Sequence, residues 1–132
     1  MNMNVAERDE ILFGGYDPEQ YYGGIRHFNS DIATIKTLMS KDFIDPDDCQ
    51  NYSPSAEEFV KIAETEGVDA AFGGYAVSPN RSDYRITITD ITVEFDAGNT
   101  DLLIDMIGHL RYADEFNMSI NNGKCQIYAW WD

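Results

Sequence analysis

Basic side chains are scarce in this sequence. Nine lysines and arginines stand against 24 aspartates and glutamates, which gives a formal net charge of −15 at pH 7. Because nucleic-acid binding depends on cationic side chains that neutralise phosphates, this balance argues against direct contact with nucleic acid. Anionic membrane surfaces are disfavoured for the same reason. The composition instead favours a basic protein partner.

Long apolar runs are missing and cysteine is rare. No stretch approaches the roughly 18 apolar residues that cross a bilayer, and residues 1–8 are too polar for a signal segment. Cys49 and Cys125 lie far apart, and we expect two reduced thiols in a cytoplasmic protein rather than a disulfide. Hydrophobic residues make up 43% of the chain, enough for the core of one domain over residues 1–132 with residues 1–9 frayed.

Phosphate-binding glycine motifs are absent, although Phe-Gly-Gly-Tyr occurs twice, at residues 13–16 and 72–75. Neither copy continues into the Lys-Ser/Thr of a Walker loop or the third glycine and helix of a dinucleotide fingerprint. The glycine pairs therefore predict strand bulges or close approach of a neighbouring backbone. The alternative is a shallow aromatic platform for a flat ligand, formed by Tyr16, Tyr75, Tyr84 and Trp131.

No metal-binding or catalytic motif is complete. Asp45, Asp47 and Asp48 lack the spacing, the glycine and the closing glutamate of a calcium loop. A zinc site would need four residues to converge, which the sequence leaves open: His27, His109, Cys49 and Cys125. We predict no catalytic residue, no metal and no cofactor, and the sequence leans against an enzyme.

The apolar periodicity predicts an α+β domain. The element order favours an antiparallel sheet of four to six strands with two or three helices on one face. A ferredoxin-like topology with an extra C-terminal hairpin is one form of it. Residues 10–16 are expected to form a short strand. The apolar phase changes after Asp90, which predicts a bulge near Thr89 and Asp90, and Asn122-Gly123 predicts a hairpin turn.

Carboxylates are concentrated between Asp42 and Asp69, where nine of them stand against Lys61 alone. We predict that this acidic segment is a non-enzymatic docking surface for a basic partner, in one form as a mimic of nucleic-acid charge. The expected contact residues are Asp42, Asp45, Asp47, Asp48, Glu57, Glu58 and Glu64. The alternative is a small-ligand-binding module or minor enzyme, with a pocket between the Gly-Gly strands and the 45–53 loop.

Three stretches carry a resemblance: DDCQNYSP at residues 47–54, GYAVSPNRSDYR at residues 74–85 and AWWD at residues 129–132. In these stretches the chain resembles a group of small, acidic, uncharacterised bacterial proteins of accessory or mobile-element type. The resemblance implies a cytoplasmic, mobile-element context. It implies no activity and no functional residue.

Overall fold

A computed structural model describes all 132 residues of the chain. Its elements are α1 (Val5–Phe13), β1 (Ile25–Asp31), α2 (Ile32–Ser40), α3 (Ala56–Ala63), β2 (Asp69–Val77), β3 (Ile86–Asp96), α4 (Thr100–Leu110), β4 (Glu115–Asn121) and β5 (Lys124–Trp130). The five strands form one antiparallel sheet in the order β1-β2-β3-β5-β4. The predicted α+β class is confirmed. None of the helices combines the length and apolarity needed to cross a membrane.

The ferredoxin-like form of the prediction holds for half of the sheet. Strand β5 lies between β3 and β4, so β3, α4 and β4 form a split β-α-β unit. Strands β1 and β2 are direct antiparallel neighbours, although α2 and α3 connect them. The first half is therefore not split, and the ferredoxin-like topology is wrong for the domain as a whole.

The sheet has one covered face and one open face. Successive side chains of a strand point to opposite faces, and on the covered face they meet the helices. The helices contribute fully buried side chains to this core: Ile35, Leu38, Phe59, Met106 and Leu110. Strand residues on the same face complete it: Phe28, Phe72, Ile91, Val93, Phe95 and Ile127. No helix covers the opposite face, which we call the open face.

The predicted bulge is present at Thr89. Gly73 pairs with Asp90 and Gly74 with Ile88, so Thr89 is the extra residue of β3. This insertion lets the apolar residues before and after it reach the same covered face, as the change of phase requires. The Thr89 carbonyl accepts a hydrogen bond from the Trp131 backbone N–H at 2.9 Å, which ties the end of β5 to the bulge.

The amino-terminal region corrects two predictions. Residues 1–9 are not frayed, and residues 10–16 do not form a strand, because Val5–Phe13 is helix α1. The Asn4 side chain accepts a hydrogen bond from the Glu7 N–H as the N-cap. Gly14 ends the helix in the left-handed region at φ 80°, where glycine carries no Cβ penalty. The first Phe-Gly-Gly-Tyr is therefore a helix end.

A buried polar cluster holds α1 against the sheet. Arg8 and Asp9 are fully buried and pair through Nε and Oδ1 at 2.8 Å. Arg8 also donates to the Val77 carbonyl at 3.0 Å and to the Tyr21 hydroxyl at 2.8 Å, while the Tyr21 hydroxyl donates to Asp9. Burial, and then the bond to Asp9, raise the pKa of Tyr21. The guanidinium stacks on Tyr84, 4.5 Å from the ring centroid.

Candidate functional site

A groove of about 370 Å³ lies in the open face above the Thr89 bulge. Gly73, Gly74 and Asp90 line its centre. Its side walls come from three strands: His27 of β1, Tyr75 of β2, and Tyr128 and Trp130 of β5. Gln50 of the 45–53 loop and Asp132 also line it. The groove therefore joins the second Gly-Gly strand to the 45–53 loop.

The two glycines of the second Phe-Gly-Gly-Tyr have different roles. A Cβ on Gly73 would stand 2.5 Å from Oδ2 of Asp90, so the missing side chain makes room for that carboxylate. A Cβ on Gly74 would collide with the Thr87 carbonyl oxygen and lie 2.9 Å from Cζ of Phe28. Gly74 therefore permits the close approach of β3, while Gly73 shapes the open face.

Asp90 is a half-buried carboxylate without a cationic partner. Its Oδ2 accepts a hydrogen bond from the Thr89 hydroxyl at 2.8 Å, and it takes part in none of the ion pairs of the structure. Burial raises the pKa of Asp90 above its usual value, and neither the hydrogen bond from Thr89 nor nearby His27 offsets this. The charged form is thus under-stabilised by the protein itself.

The aromatic residues on the two sides of the groove differ in whether a cation or another ring of the chain lies against them. The Tyr75 ring meets His27 edge-on at 6.3 Å and has the Arg85 guanidinium 5.7 Å from its centroid. Arg85 also donates to the Tyr75 hydroxyl at 3.1 Å. Tyr128 and Trp130, on the other side, have no cation or second ring against them. Burial, and then the charges of Asp90 and Glu115, raise the pKa of Tyr128.

The open face as a whole is acidic. Its carboxylates lie at register positions on three strands, β2, β3 and β4: Asp69, Asp90, Glu94, Asp96 and Glu115. Lys124, opposite Asp96, is the single lysine among them. Asp69 and Glu94 lie directly opposite each other, and such like-charge pairs destabilise a sheet. These charges oppose folding. Because residues that oppose folding are often found at functional sites, we expect them to take part in binding.

The acids of α3, predicted as contact residues, have cations close by. Lys61 Nζ lies 3.9 Å from Oε1 of Glu57, one turn away on the same helix. Lys36 Nζ of α2 lies 3.0 Å from Oε2 of Glu64. Both pairs are exposed and contribute little to stability. They do reduce the unpaired negative charge that this helix offers to a partner.

The other predicted contact residues are divided between structural and exposed positions. Glu58 forms the capping box with Ser55, and the hydrogen bond from the Ser55 N–H lowers the pKa of Glu58. Asp48 is half-buried, and burial raises its pKa despite the charge of Arg85 nearby. Three carboxylates are exposed in the loop after α2: Asp42, Asp45 and Asp47.

The predicted aromatic platform is wrong. Trp131 is 3% exposed and packs edge-on against Phe59 of α3, with ring centroids 5.5 Å apart. Trp130, one residue earlier, faces the groove instead because strand side chains alternate. The predicted platform included Trp131, whereas the tryptophan on the open face is Trp130.

Two more platform residues lie elsewhere. Tyr84 is buried beneath Arg8, on the side of α1. Tyr16 follows the end of α1 and lies 6.0 Å from Tyr21. Of the predicted four, Tyr75 alone lines the groove. The two Phe-Gly-Gly-Tyr stretches therefore do not meet in one sheet.

The four residues considered for zinc do not converge. Cys125 is buried in the core and Cys49 is exposed in its loop, and both are free thiols. His27 lies on the open face, whereas His109 of α4 pairs with Asp105 at 3.3 Å. No group of three or more His, Cys, Asp or Glu side chains is placed to hold a metal ion.

Sequence reasoning missed His27, Asp90, Tyr128 and Trp130 as site residues. A signal was available, because the change of phase that predicts the bulge falls at Asp90 itself. The alternation of Tyr128 and Trp130 with buried Ile127 and Ala129 also indicates an aromatic outer face.

Comparisons with protein-family models, curated proteins and solved structures gave no match. The resemblance to small acidic bacterial proteins therefore stays a prediction. The groove and the charge around it are the features from which we infer a function.

Proposed function

We propose that this protein is a non-enzymatic interaction domain that binds a basic protein partner through the open face of its sheet. One observation carries the proposal: no helix covers this face, and it presents five strand carboxylates against two cations, Lys124 and the Arg85 that lies over Tyr75. Such a field attracts a cationic partner and raises its rate of association. The aromatic groove at its centre supplies the desolvated contact area that charge alone lacks.

The open face is favoured over the acidic segment between Asp42 and Asp69. Two acids of α3 are already near lysines, and Glu58 is engaged in a helix cap. The open-face carboxylates come from β2, β3 and β4, and one of them, Asp90, lines the groove. The exposed loop carboxylates would then extend the negative field rather than form the contact.

The setting we propose is cytoplasmic, in a mobile-element or defence context. A narrower form of the proposal is mimicry of nucleic-acid charge, in which the carboxylates replace phosphates on a DNA-binding protein. The narrower form predicts that duplex DNA and this protein compete for the same partner. If a captured partner binds both at once, mimicry is excluded while the interaction domain stands.

A matched pair of charge-reversal variants tests which surface binds. One variant carries Asp69→Lys, Glu94→Lys and Glu115→Lys on the open face; the other carries Asp47→Lys, Glu57→Lys and Glu64→Lys in the acidic segment. Both change the net charge equally. Binding of a fluorescent peptide of alternating arginine and glycine is measured by anisotropy at low and moderate salt. We expect the open-face variant to lose binding and the segment variant to keep most of it; the reverse order would contradict the proposal.

A second candidate is a small-molecule site in the same groove. Its volume of about 370 Å³ falls within the range of roughly 300–1,000 Å³ typical of ligand pockets. Its position, between the second Gly-Gly strand and the 45–53 loop, is where the sequence predicted a pocket. A thermal-shift screen of small organic cations tests this function, since a ligand that binds only the folded state raises the melting temperature.

A further inference from the structure

The groove has an unpaired carboxylate next to unoccupied aromatic rings. We propose that Asp90, Tyr128 and Trp130 form a seat for one guanidinium group, supplied by an arginine side chain of the basic partner. This inference rests on the proposed function, because it names the group through which the open face holds its partner.

The first step is the hydrogen-bonding capacity of Asp90. Thr89 donates to Oδ2, and no donor of the protein reaches Oδ1. A carboxylate can accept a pair of parallel N–H bonds from an arginine fork. The Thr89 hydroxyl fixes the carboxylate orientation, and Gly73 beneath it leaves the space in which it lies. The acceptor is therefore positioned before any partner arrives.

The second step is the position of the rings. Trp130 is the cross-strand partner of Asp90 in the register of β3 and β5, and Tyr128 lies two residues away on the same face. Both side chains are half-buried, and no other ring or cation of the chain stacks on them. A planar guanidinium stacks on such rings, whereas a lysine ammonium is more strongly hydrated and lacks the planar fork. The combination of rings and one carboxylate therefore selects arginine.

The opposite wall of the groove already holds an arginine in the way that we propose for the partner's guanidinium. Arg85 of the chain itself lies over Tyr75 and donates to its hydroxyl. That wall shows an arginine held by a ring and by a carboxylate, since Nη1 of Arg85 also lies 3.0 Å from Oδ2 of Asp83. Asp90 with Trp130 offers the same two elements, a ring and a carboxylate. A divalent metal is a poorer fit, because Asp90 and Asp132 are the only acidic residues that line the groove, fewer than the several oxygen ligands that such ions prefer.

The test compares two variants of β3 with the same loss of charge. Asp90→Asn removes the charge inside the groove and keeps its shape, whereas Glu94→Gln removes a charge on the same strand and face outside it. The probes are peptides of alternating arginine and glycine and of alternating lysine and glycine. We expect Asp90→Asn to weaken the arginine peptide about tenfold or more, and Glu94→Gln about twofold. The preference for arginine over lysine should disappear in Asp90→Asn.

A second variant guards against a trivial folding effect. Gly73→Ala displaces the Asp90 carboxylate without removing its charge, so it should also lose the arginine preference while its melting curve stays cooperative. Equal effects of Asp90→Asn and Glu94→Gln would overturn the guanidinium seat and leave the proposed function intact. If the wild-type protein binds neither peptide, the proposed function fails and the seat with it. If methylguanidinium binds as tightly as the arginine peptide, the proposal that a partner protein supplies the guanidinium group is overturned, and a small molecule is the ligand of the groove.

Discussion

The two faces of the same sheet are built from neighbouring residues and have opposite chemistry. On β3, Ile91 and Val93 are fully buried beneath the helices, while Asp90 and Glu94 point to the open face. The covered face buries apolar area, which is the dominant favourable term in folding. The open face carries like charges in opposition and an under-stabilised carboxylate, which oppose folding. Because alternate residues of a strand point to opposite faces, the residues that stabilise the fold and those proposed to bind a partner lie on different faces of the sheet.

The largest expected effect on stability comes from replacing one aromatic residue on each face with alanine and comparing the two variants. Phe72→Ala empties a fully buried site on the covered face and should lower the free energy of unfolding by about 3–5 kcal/mol. Tyr128→Ala, on the open face, should cost less than about 1 kcal/mol and instead reduce peptide binding. Urea denaturation measures both. Equal losses of stability would break the distinction between the faces.

The buried pair on α1 should be almost as sensitive. Asp9→Ala leaves the Arg8 guanidinium buried without its carboxylate partner, which typically costs about 3–5 kcal/mol. A matched control is Glu10→Ala, because Glu10 is exposed on the same helix. A loss below about 1 kcal/mol for Asp9→Ala, measured by denaturation, would show that α1 is not held by this cluster.

Gly73 and Gly74 are adjacent in sequence, and alanine substitutions at the two positions should lower stability by different amounts. Gly74→Ala forces a methyl group against a backbone carbonyl and the Phe28 ring, and should lower stability by about 1–3 kcal/mol or more. Gly73→Ala meets only the movable carboxylate of Asp90, so its cost should be smaller. Chemical denaturation of the two variants is the measurement. A larger cost for Gly73→Ala would contradict the assignment of their roles.

The smallest effect on stability is expected for Asp90→Asn, and this substitution should stabilise the protein where the others destabilise it. Because burial raises the pKa of Asp90 in the folded state, its contribution to stability is full below the unfolded pKa and is lost as pH rises through the folded pKa. At neutral pH the charged form therefore opposes folding. Asp90→Asn should make the protein slightly more stable at pH 7 and less pH-dependent above pH 4, as read from melting curves across pH. A loss of stability at pH 7 would mean that the charge is satisfied within the fold.

Much of the fold follows from local signals in the sequence. Ser55 with Glu58 caps α3, Asn99 caps α4, and Asn122-Gly123 forms the predicted hairpin with both residues at positive φ. The bulge follows from the change in apolar phase. These features were predictable because each depends on a few neighbouring residues.

Helix α1 was not predicted because its buried face is partly ionic. Arg8 and Asp9 read as surface residues, yet they are buried together through contacts with residues distant in sequence. The Asn4 cap and the Gly14-Gly15 end were the available signals for the helix. The preference for a strand at residues 10–16 came from treating both glycine pairs alike, whereas one pair ends a helix and the other bends a sheet.

The candidate site was harder to predict than the fold. Counting charge along the chain selects the segment between Asp42 and Asp69, where acids are consecutive in sequence. The acids of the open face are spread from Asp69 to Glu115 and meet only through strand pairing. An acidic surface assembled from three strands leaves little trace in a linear count of charge.

The most direct test of the account is a nitrogen–proton NMR titration of the intact protein with the peptide of alternating arginine and glycine. We predict that the largest changes in chemical shift fall on the groove residues: His27, Tyr75, Asp90, Tyr128 and Trp130. The indole signal of Trp130 should move, and that of buried Trp131 should move less. Shifts confined to residues 42–66, with the groove unchanged, would contradict the open face as the binding surface.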